Sequence, residues 1–281
     1  MNEDEFLFKS QQNIQEKQIS ENNIFPKKIT KSLGVKLNST AALVMDRKSD
    51  KILFEKESNK KLPPASLTKI MTALVTLESK ANLDDIVIIK KNSVDTEGSN
   101  IGLKIGEEIT LQDLLYGVLV SSGNDAALAL AEFTSGDIES FVLQMNKKAV
   151  ELKLNNTHFV NVTGLDTEGH YSTAYDIARL LDYALENSFF KQIISTKEYE
   201  IISEPNITHH LKNTNQLLLD DYPKIGGGKT GFTDEAGFCL AALAKNDGNE
   251  IIIVVLGSQK NGHQFQDVKA LTDWTFKTFE W

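Results

Sequence analysis

Two apolar runs near the C-terminal end constrain this chain most. They are Gly237–Ala244 and Ile251–Leu256, separated by Asn246-Asp-Gly-Asn249. Neither run alternates with polar residues. Continuous runs of β-branched and small residues are expected of strands at the centre of a sheet, and the polar stretch between them reads as a turn. The other end of the domain carries a matching pair, Ala41–Met45 and Lys51–Glu55, around the polar turn Asp46–Asp50. Between these hairpins the period is helical. Phe141, Val142, Met145, Ala149 and Leu152 share one helical face, and Ala174, Ile177, Ala178, Leu181 and Leu185 share another. Thr110-x-x-Asp113 and Thr173-x-x-Asp176 are helix starts of the capping-box kind. A last amphipathic helix is expected over 265–279, with Phe265, Val268, Leu271, Thr275 and Phe279 inward. The pattern predicts a mixed α+β (α/β) fold. Both chain ends complete one antiparallel sheet, and a helical subdomain is inserted between them.

Composition narrows the class of function. With 281 residues, 41% of them hydrophobic and 25% charged, the chain can bury a core. A net charge of −9 with no Lys/Arg-rich run argues against a nucleic-acid partner. The single cysteine, Cys239, excludes an internal disulfide and a thiolate metal cluster. No apolar run exceeds the seven residues Phe238–Ala244, too short for a transmembrane helix. The start, Met-Asn-Glu-Asp-Glu, lacks the basic and apolar parts of a signal peptide. Residues 1–36 are polar, with scattered Phe6, Leu7, Phe8, Ile24 and Phe25. They are expected to be a linker or tether ahead of a domain at 37–281.

Three segments could carry chemistry. In Pro63-Pro-Ala-Ser66-Leu-Thr-Lys69, prolines precede a helical pattern, so Ser66 falls in the first turn with Lys69 on the same face. A serine hydroxyl needs a base to become a nucleophile, and a lysine whose pKa is lowered by burial or by a second cation can serve. In Ser122-Gly-Asn124, the two side chains are expected to project from a short loop between helices. Serine can pass a proton, and an amide both donates and accepts. In Gly226-Gly-Gly-Lys229-Thr230-Gly-Phe232-Thr233, glycines let another backbone approach a strand, and Lys229 with Thr230 can hold an anion. A phosphate-binding P-loop is excluded: Pro223 stands where its first glycine belongs, and a strand pattern follows instead of a helix. Each segment alone is common.

The ordered set S-x-x-K, S-x-N and K-T-G is far more specific, being the signature of penicillin-binding proteins and class A β-lactamases. With the flanks Pro64–Thr72, Ser122–Ala127, His158–Asn161, Gly164-Leu165, His170–Ala174 and Lys229–Thr233, the chain resembles the low-molecular-mass penicillin-binding proteins of peptidase family S11, the D-alanyl-D-alanine carboxypeptidases. The resemblance runs from about residue 36 to 281 and implies the β-lactamase/transpeptidase-like fold. It implies Ser66 as nucleophile, Lys69 as its base, and Ser122 and Asn124 as proton shuttle and substrate holder. It further implies Lys229 and Thr230 as binders of the substrate carboxylate, with the backbone N–H groups of Ser66 and Phe232 as oxyanion hole. Peptidoglycan stem peptides are the implied substrates and β-lactams the implied inhibitors, with no cofactor, no metal and no nucleic acid. That chemistry places the enzyme outside the cytoplasmic membrane, tethered or exported through a segment beyond this sequence. The β-rich C-terminal domain and terminal amphipathic anchor of many members are not found in the sequence.

The sequence departs from the family pattern in places. Thr214 occupies the middle of Asn213-Thr214-Asn215, where many members carry arginine, and Lys260 follows the last strand, where some members also place one. Glu151-x-x-Leu154-Asn155 matches the string that carries the deacylating glutamate of class A β-lactamases, but it lies at a helix end. His209-His210 is expected not to bind metal, Asp220-Asp221 to be a solvated turn, and Cys239 to be a buried sheet residue. Three alternatives stay open: a DD-endopeptidase, a β-lactamase on the same fold, and a non-catalytic penicillin-sensing or wall-binding module.

Overall fold

The two hairpins are neighbours in one antiparallel sheet. The structure is a computed structural model describing residues 25–281. In chain order its strands are β1 (Lys27–Lys28), β2 (Ala41–Asp46), β3 (Ile52–Lys56), β4 (Ile86–Ile88), β5 (Glu108–Thr110), β6 (Glu198–Ser203), β7 (Ile207–Lys212), β8 (Ile225–Thr233), β9 (Gly237–Asn246), β10 (Asn249–Ser258) and β11 (Phe279–Glu280). The helices are α1 (Lys69–Leu77), α2 (Lys91–Val94), α3 (Leu111–Leu119), α4 (Asn124–Ser135), α5 (Ile138–Glu151), α6 (Ala174–Ala184), α7 (Ser188–Ile194), α8 (Gln216–Leu219) and α9 (His263–Thr278).

The five-stranded sheet has the order β3-β2-β10-β9-β8. Its centre is the pairing of the two ends: Val44 stands opposite Ile253, and Ile251 opposite Ala244. Both faces of these strands are covered, which is why their runs are apolar at every position. Leu43, Met45, Ala241, Leu243, Ile252 and Val254 face the helical middle of the chain. Ala42, Val44, Leu240, Ala242, Ile253 and Val255 face Val268 and Leu271 of α9. The helical middle is centred on α1, whose Ile70, Met71, Ala73 and Leu74 are buried. The expected caps are made: Thr110 accepts from Asp113 N, and Thr173 from Asp176 N, each at 3.0 Å.

Two small two-stranded sheets flank the helices. β4 pairs with β5 and β6 with β7, and a bridge between Glu108 and Glu204 joins them. In β6 and β7 burial alternates: Ile201, Ser203, His209 and Leu211 face inward.

The boundary expected after residue 36 falls inside the fold. β1 pairs with β11, Ile29 N donates to Thr278 O at 2.8 Å, and Trp274 Nε1 donates to Ser32 Oγ at 2.7 Å. Lys51 Nζ also reaches Pro26 O at 2.9 Å, and Val35 packs on the α9 side of the sheet. Main-chain hydrogen bonds, rather than a periodic apolar face, hold this stretch, so its polar composition does not reveal it. The rest of the expected tether, residues 1–24, lies outside the described residues. Among the described residues no helix is long and apolar enough to cross a membrane.

Candidate active site

Ser66 lies in a 3₁₀ turn, Ala65–Thr68, that runs directly into α1. The turn is held in an unusual conformation, with Ala65 at φ +50°, a region costly for any residue with a side chain. Gly164 supports it by close approach: a Cβ there would stand 1.9 Å from the Ala65 carbonyl oxygen. On the other side Gly231 of β8 brings the strand backbone against the turn, where an added Cβ would meet Ser66 N at 3.1 Å. Both glycines fix how near their segments come to Ser66.

Lys69 opens α1 and is 0% exposed. Its Nζ lies 2.9 Å from Ser66 Oγ, 2.6 Å from Asn124 Oδ1 and 2.7 Å from Thr163 O. The last two atoms can only accept hydrogen bonds. A neutral amine with its two hydrogens on those acceptors therefore turns its lone pair toward the Ser66 hydroxyl. Burial, and next the charge of Lys229, lower the Lys69 pKa well below the ordinary lysine range, against a smaller opposing effect of Asp125.

Ser122 occupies the turn between α3 and α4 at φ +62°. It is joined to the sheet by Lys229, whose Nζ lies 2.8 Å from Ser122 Oγ and 3.0 Å from Thr230 O. Lys229 is 1% exposed, and burial pushes its pKa down to about 7. Asn124, expected to project from the loop, instead forms the first residue of α4. Its N and Nδ2 donate to Ser99 O and Glu97 O, each at 2.6 Å, which fixes the amide with its oxygen toward Lys69.

Sequence reasoning passed over two supports. The Asp125 carboxylate accepts from Ile101 N, Gly102 N and Leu103 N at 2.9–3.1 Å, fastening loop 97–103 to the Ser122 turn. A carboxylate directly after a candidate asparagine, at a helix start, was the available signal. The second is the Thr163 carbonyl, which no side-chain pattern announces.

Thr230 and Phe232 complete the strand side. Thr230 Oγ1 hydrogen-bonds Thr214 Oγ1, so the residue standing where arginine was expected is tied to the K-T-G strand. Phe232 is half exposed at the rim, its ring stacked on Phe238 with centroids 4.2 Å apart. The structure thus brings the predicted residues together as two adjacent hydrogen-bonded groups, Ser66–Lys69–Asn124 and Ser122–Lys229–Thr230, with Phe232 on the same strand as Lys229 and Thr230.

The decoys lie elsewhere. Glu151 ends α5, and its carboxylate is bonded to Lys148 at 2.9 Å, which holds it below the usual carboxylate range. Cys239 pairs across from Gly231 but is sealed in the sheet, and burial raises its thiol to about 12. His209 and His210 point to opposite sides of β7, the first buried against Glu107 and the second exposed beside Glu200. Asp221 pairs with Lys197 in its turn. Among the described residues no cluster of three or more His, Cys, Asp or Glu side chains could hold a metal ion.

Comparison with known proteins places this geometry. Residues 27–260 match the Peptidase_S11 family model, D-alanyl-D-alanine carboxypeptidase. The chain is 41% identical over 244 residues to D-alanyl-D-alanine carboxypeptidase DacF of Bacillus subtilis, covering 85% of this chain and 62% of that protein. It thus spans about three-fifths of that relative's length. It is 35% identical over 251 residues to a D-alanyl-D-alanine endopeptidase of Pseudomonas aeruginosa, covering 89% of this chain and 81% of that one. The Streptomyces K15 DD-transpeptidase superposes with a TM-score of 0.83 at 31% identity, covering 88% of this chain and all of its own. With its signature segments assembled around Ser66 and a family match across most of its length, the chain belongs to peptidase family S11, the D-alanyl-D-alanine carboxypeptidases.

Proposed function

We propose that this protein is a serine D-Ala-D-Ala carboxypeptidase that removes the terminal D-Ala of peptidoglycan stem peptides through an acyl-enzyme. One observation carries the reading: a buried lysine amine whose two other partners can only accept, set 2.9 Å from a serine hydroxyl. Ser66 Oγ attacks the carbonyl carbon of the penultimate D-Ala, and its proton passes to Lys69 Nζ. The carbonyl oxygen becomes an oxyanion held by the backbone N–H groups of Ser66 and Phe232. Collapse breaks the C–N bond. The proton held on Lys69 is relayed through Ser122 to the leaving amine, which returns Lys69 to its neutral form, and the acyl group stays on Ser66 as an ester. Water, deprotonated by Lys69, then adds to the ester carbonyl; the C–O bond to Ser66 breaks, Lys69 returns the proton to Ser66 Oγ, and the shortened peptide leaves as the free acid.

Lys229 supplies the charge that reads the terminal carboxylate, with Thr230 beside it and Asn124 holding the peptide backbone. Every proton in the scheme travels on a side chain, so no cofactor is invoked. β-Lactams acylate the same serine. The substrate is built outside the cytoplasmic membrane, and the enzyme works there. The described residues 25–281 form the catalytic domain, with residues 27–32 held in it by the β1–β11 pairing and the Ser32–Trp274 bond, and the chain ahead of them serves as a tether.

A peptide ending in D-Ala-D-Ala, incubated with the protein and followed by mass spectrometry, tests the reading. Loss of one alanine, abolished in Ser66→Ala, is the expected result. A DD-endopeptidase is the second reading, favoured by Thr214: without an arginine there, the carboxylate has fewer partners. Cleavage of a cross-linked dimer in preference to the free-ended peptide would select it.

A further inference from the structure

The structure holds one buried ionisable pair that the proposed chemistry does not use. Glu107 and His209 are both buried, at 1% and 6% exposure, on separate segments. Glu107 closes the loop ahead of β5: one of its carboxylate oxygens accepts from Lys104 N at 2.8 Å, and the other from Ser203 Oγ and His209 Nε2. The opposite ring nitrogen, Nδ1, lies 3.0 Å from the carbonyl oxygen of Ile101. A carbonyl oxygen only accepts, so Nδ1 carries a hydrogen, and Nε2 shares a second one with the Glu107 carboxyl group. His209 therefore bridges Glu107 and the Ile101 main chain.

Ile101 is the residue through which that bridge reaches the candidate site. Its N–H donates to Asp125 Oδ1 at 3.0 Å, while its C=O receives His209. Its side chain fills the space left by Gly117 of α3 and Gly123 of the Ser122 turn: a Cβ on Gly117 would meet Ile101 Cδ1 at 2.8 Å, and one on Gly123 would meet Cγ2 at 3.0 Å. From the opposite side, β7 grips the same turn. Lys212 N donates to Ser121 Oγ at 3.0 Å, and Thr214 N to Val120 O at 3.2 Å. Loop 97–107 and β7 thus hold the turn that carries Ser122 and Asn124 like two jaws, and Glu107–His209 is a side-chain bolt between them.

We propose that His209, hydrogen-bonded through its two ring nitrogens to Glu107 and Ile101, is a positioning residue that sets the turn bearing Ser122 and Asn124 against Ser66 and Lys69. The role rests on the reaction proposed above. His209 touches no reacting atom. It acts through Ile101, and a small displacement of a reacting group costs rate far more than stability, as much as a hundredfold for a shift of about 1 Å.

The test uses the full chain and acylation by a β-lactam. Truncating either partner alone leaves a buried charge unpaired, so the informative variant is His209→Leu with Glu107→Leu, an apolar pair of the kind that often preserves stability. Its expected acylation rate constant falls about ten- to a hundredfold with a smaller change in the dissociation constant of the initial complex. Glu107→Gln should stay within a few-fold of the parent, because an amide can accept from Lys104 N and donate to a neutral His209 still bonded to Ile101. A folded double variant acylating at the parent rate overturns the proposal, as does a Glu107→Gln variant as slow as the double one. If the double variant does not fold, ring-nitrogen NMR of the parent decides. A hydrogen on His209 Nδ1 supports the bridge, and a bare Nδ1 removes it. Failure of the reaction reading looks different, since the unmodified protein itself would then not be acylated at Ser66.

Discussion

Raising the pH should switch off recognition of the substrate carboxylate within two units, because Lys229 is buried and its pKa is lowered to about 7. Its cation is nearly complete at pH 6, about half present at pH 7 and about a tenth present at pH 8. Free-enzyme ionisations govern kcat/KM, so the ratio of kcat/KM on a free-acid D-Ala-D-Ala peptide to that on its C-terminal amide, in which the shared Lys69 limb cancels, should fall roughly tenfold between pH 6 and 8. A bound carboxylate about 4 Å away stabilises the cation by about 4 kcal/mol at an effective dielectric of 20, equivalent to about three pKa units. The same fall should therefore be missing from kcat until well above pH 8. Lys69 works in the opposite sense. It must be neutral to take the Ser66 proton, and its lowered pKa supplies the acid limb. The assay is a steady-state pH profile on the free-acid peptide beside its C-terminal amide, which has no carboxylate to read and should show a shallower alkaline decline. An acid-to-amide ratio that stays level from pH 6 to 9 refutes the reasoning.

Other consequences follow from single positions. Gly164→Ala places a methyl group into the Ala65 carbonyl, 1.9 Å away, at φ +86°, and should cost more than about 3 kcal/mol by urea denaturation, with loss of β-lactam labelling. Glu151→Gln should leave the lifetime of a penicilloyl adduct unchanged, because its carboxylate is engaged with Lys148. An adduct lasting many times longer in the variant would make Glu151 the deacylating base. Deleting the chain up to residue 36 removes the β1–β11 pairing and the Ser32–Trp274 bond, and should lower stability by about 2–3 kcal/mol in the same urea assay. An unchanged midpoint would show that this segment contributes nothing.

The sheet was legible because its strands are buried on both faces: runs such as Ile251–Leu256 have few other uses. The helical faces were legible from periodicity, and the Thr110 and Thr173 caps from their spacing. The hairpin of β6 and β7 escaped because its alternation is written with polar residues: the inward positions include Ser203 and His209. In the sequence His209 stands out only through its neighbour His210, a pair expected not to bind metal. Its partner Glu107 lies 102 residues earlier in the chain, and no local pattern joins them. The chemical residues of the site were legible as motifs, but their arrangement depends on backbone. The Thr163 carbonyl, the positive φ of Ala65 and Ser122, and the Asp125 clasp on three amides leave almost no trace in side-chain spacing.

The central claim is that Ser66 is a nucleophile activated by the neutral amine of Lys69. The most direct measurement is mass spectrometry of the protein after brief exposure to a penicillin, followed by tryptic mapping. The full mass of the drug should appear once, on the peptide 62–69, and should be absent from Ser66→Ala. Lys69→Met, which keeps the volume and removes the base, should slow adduct formation by at least about a hundredfold. An adduct on another peptide, or one that forms at an undiminished rate in Lys69→Met, would contradict the account.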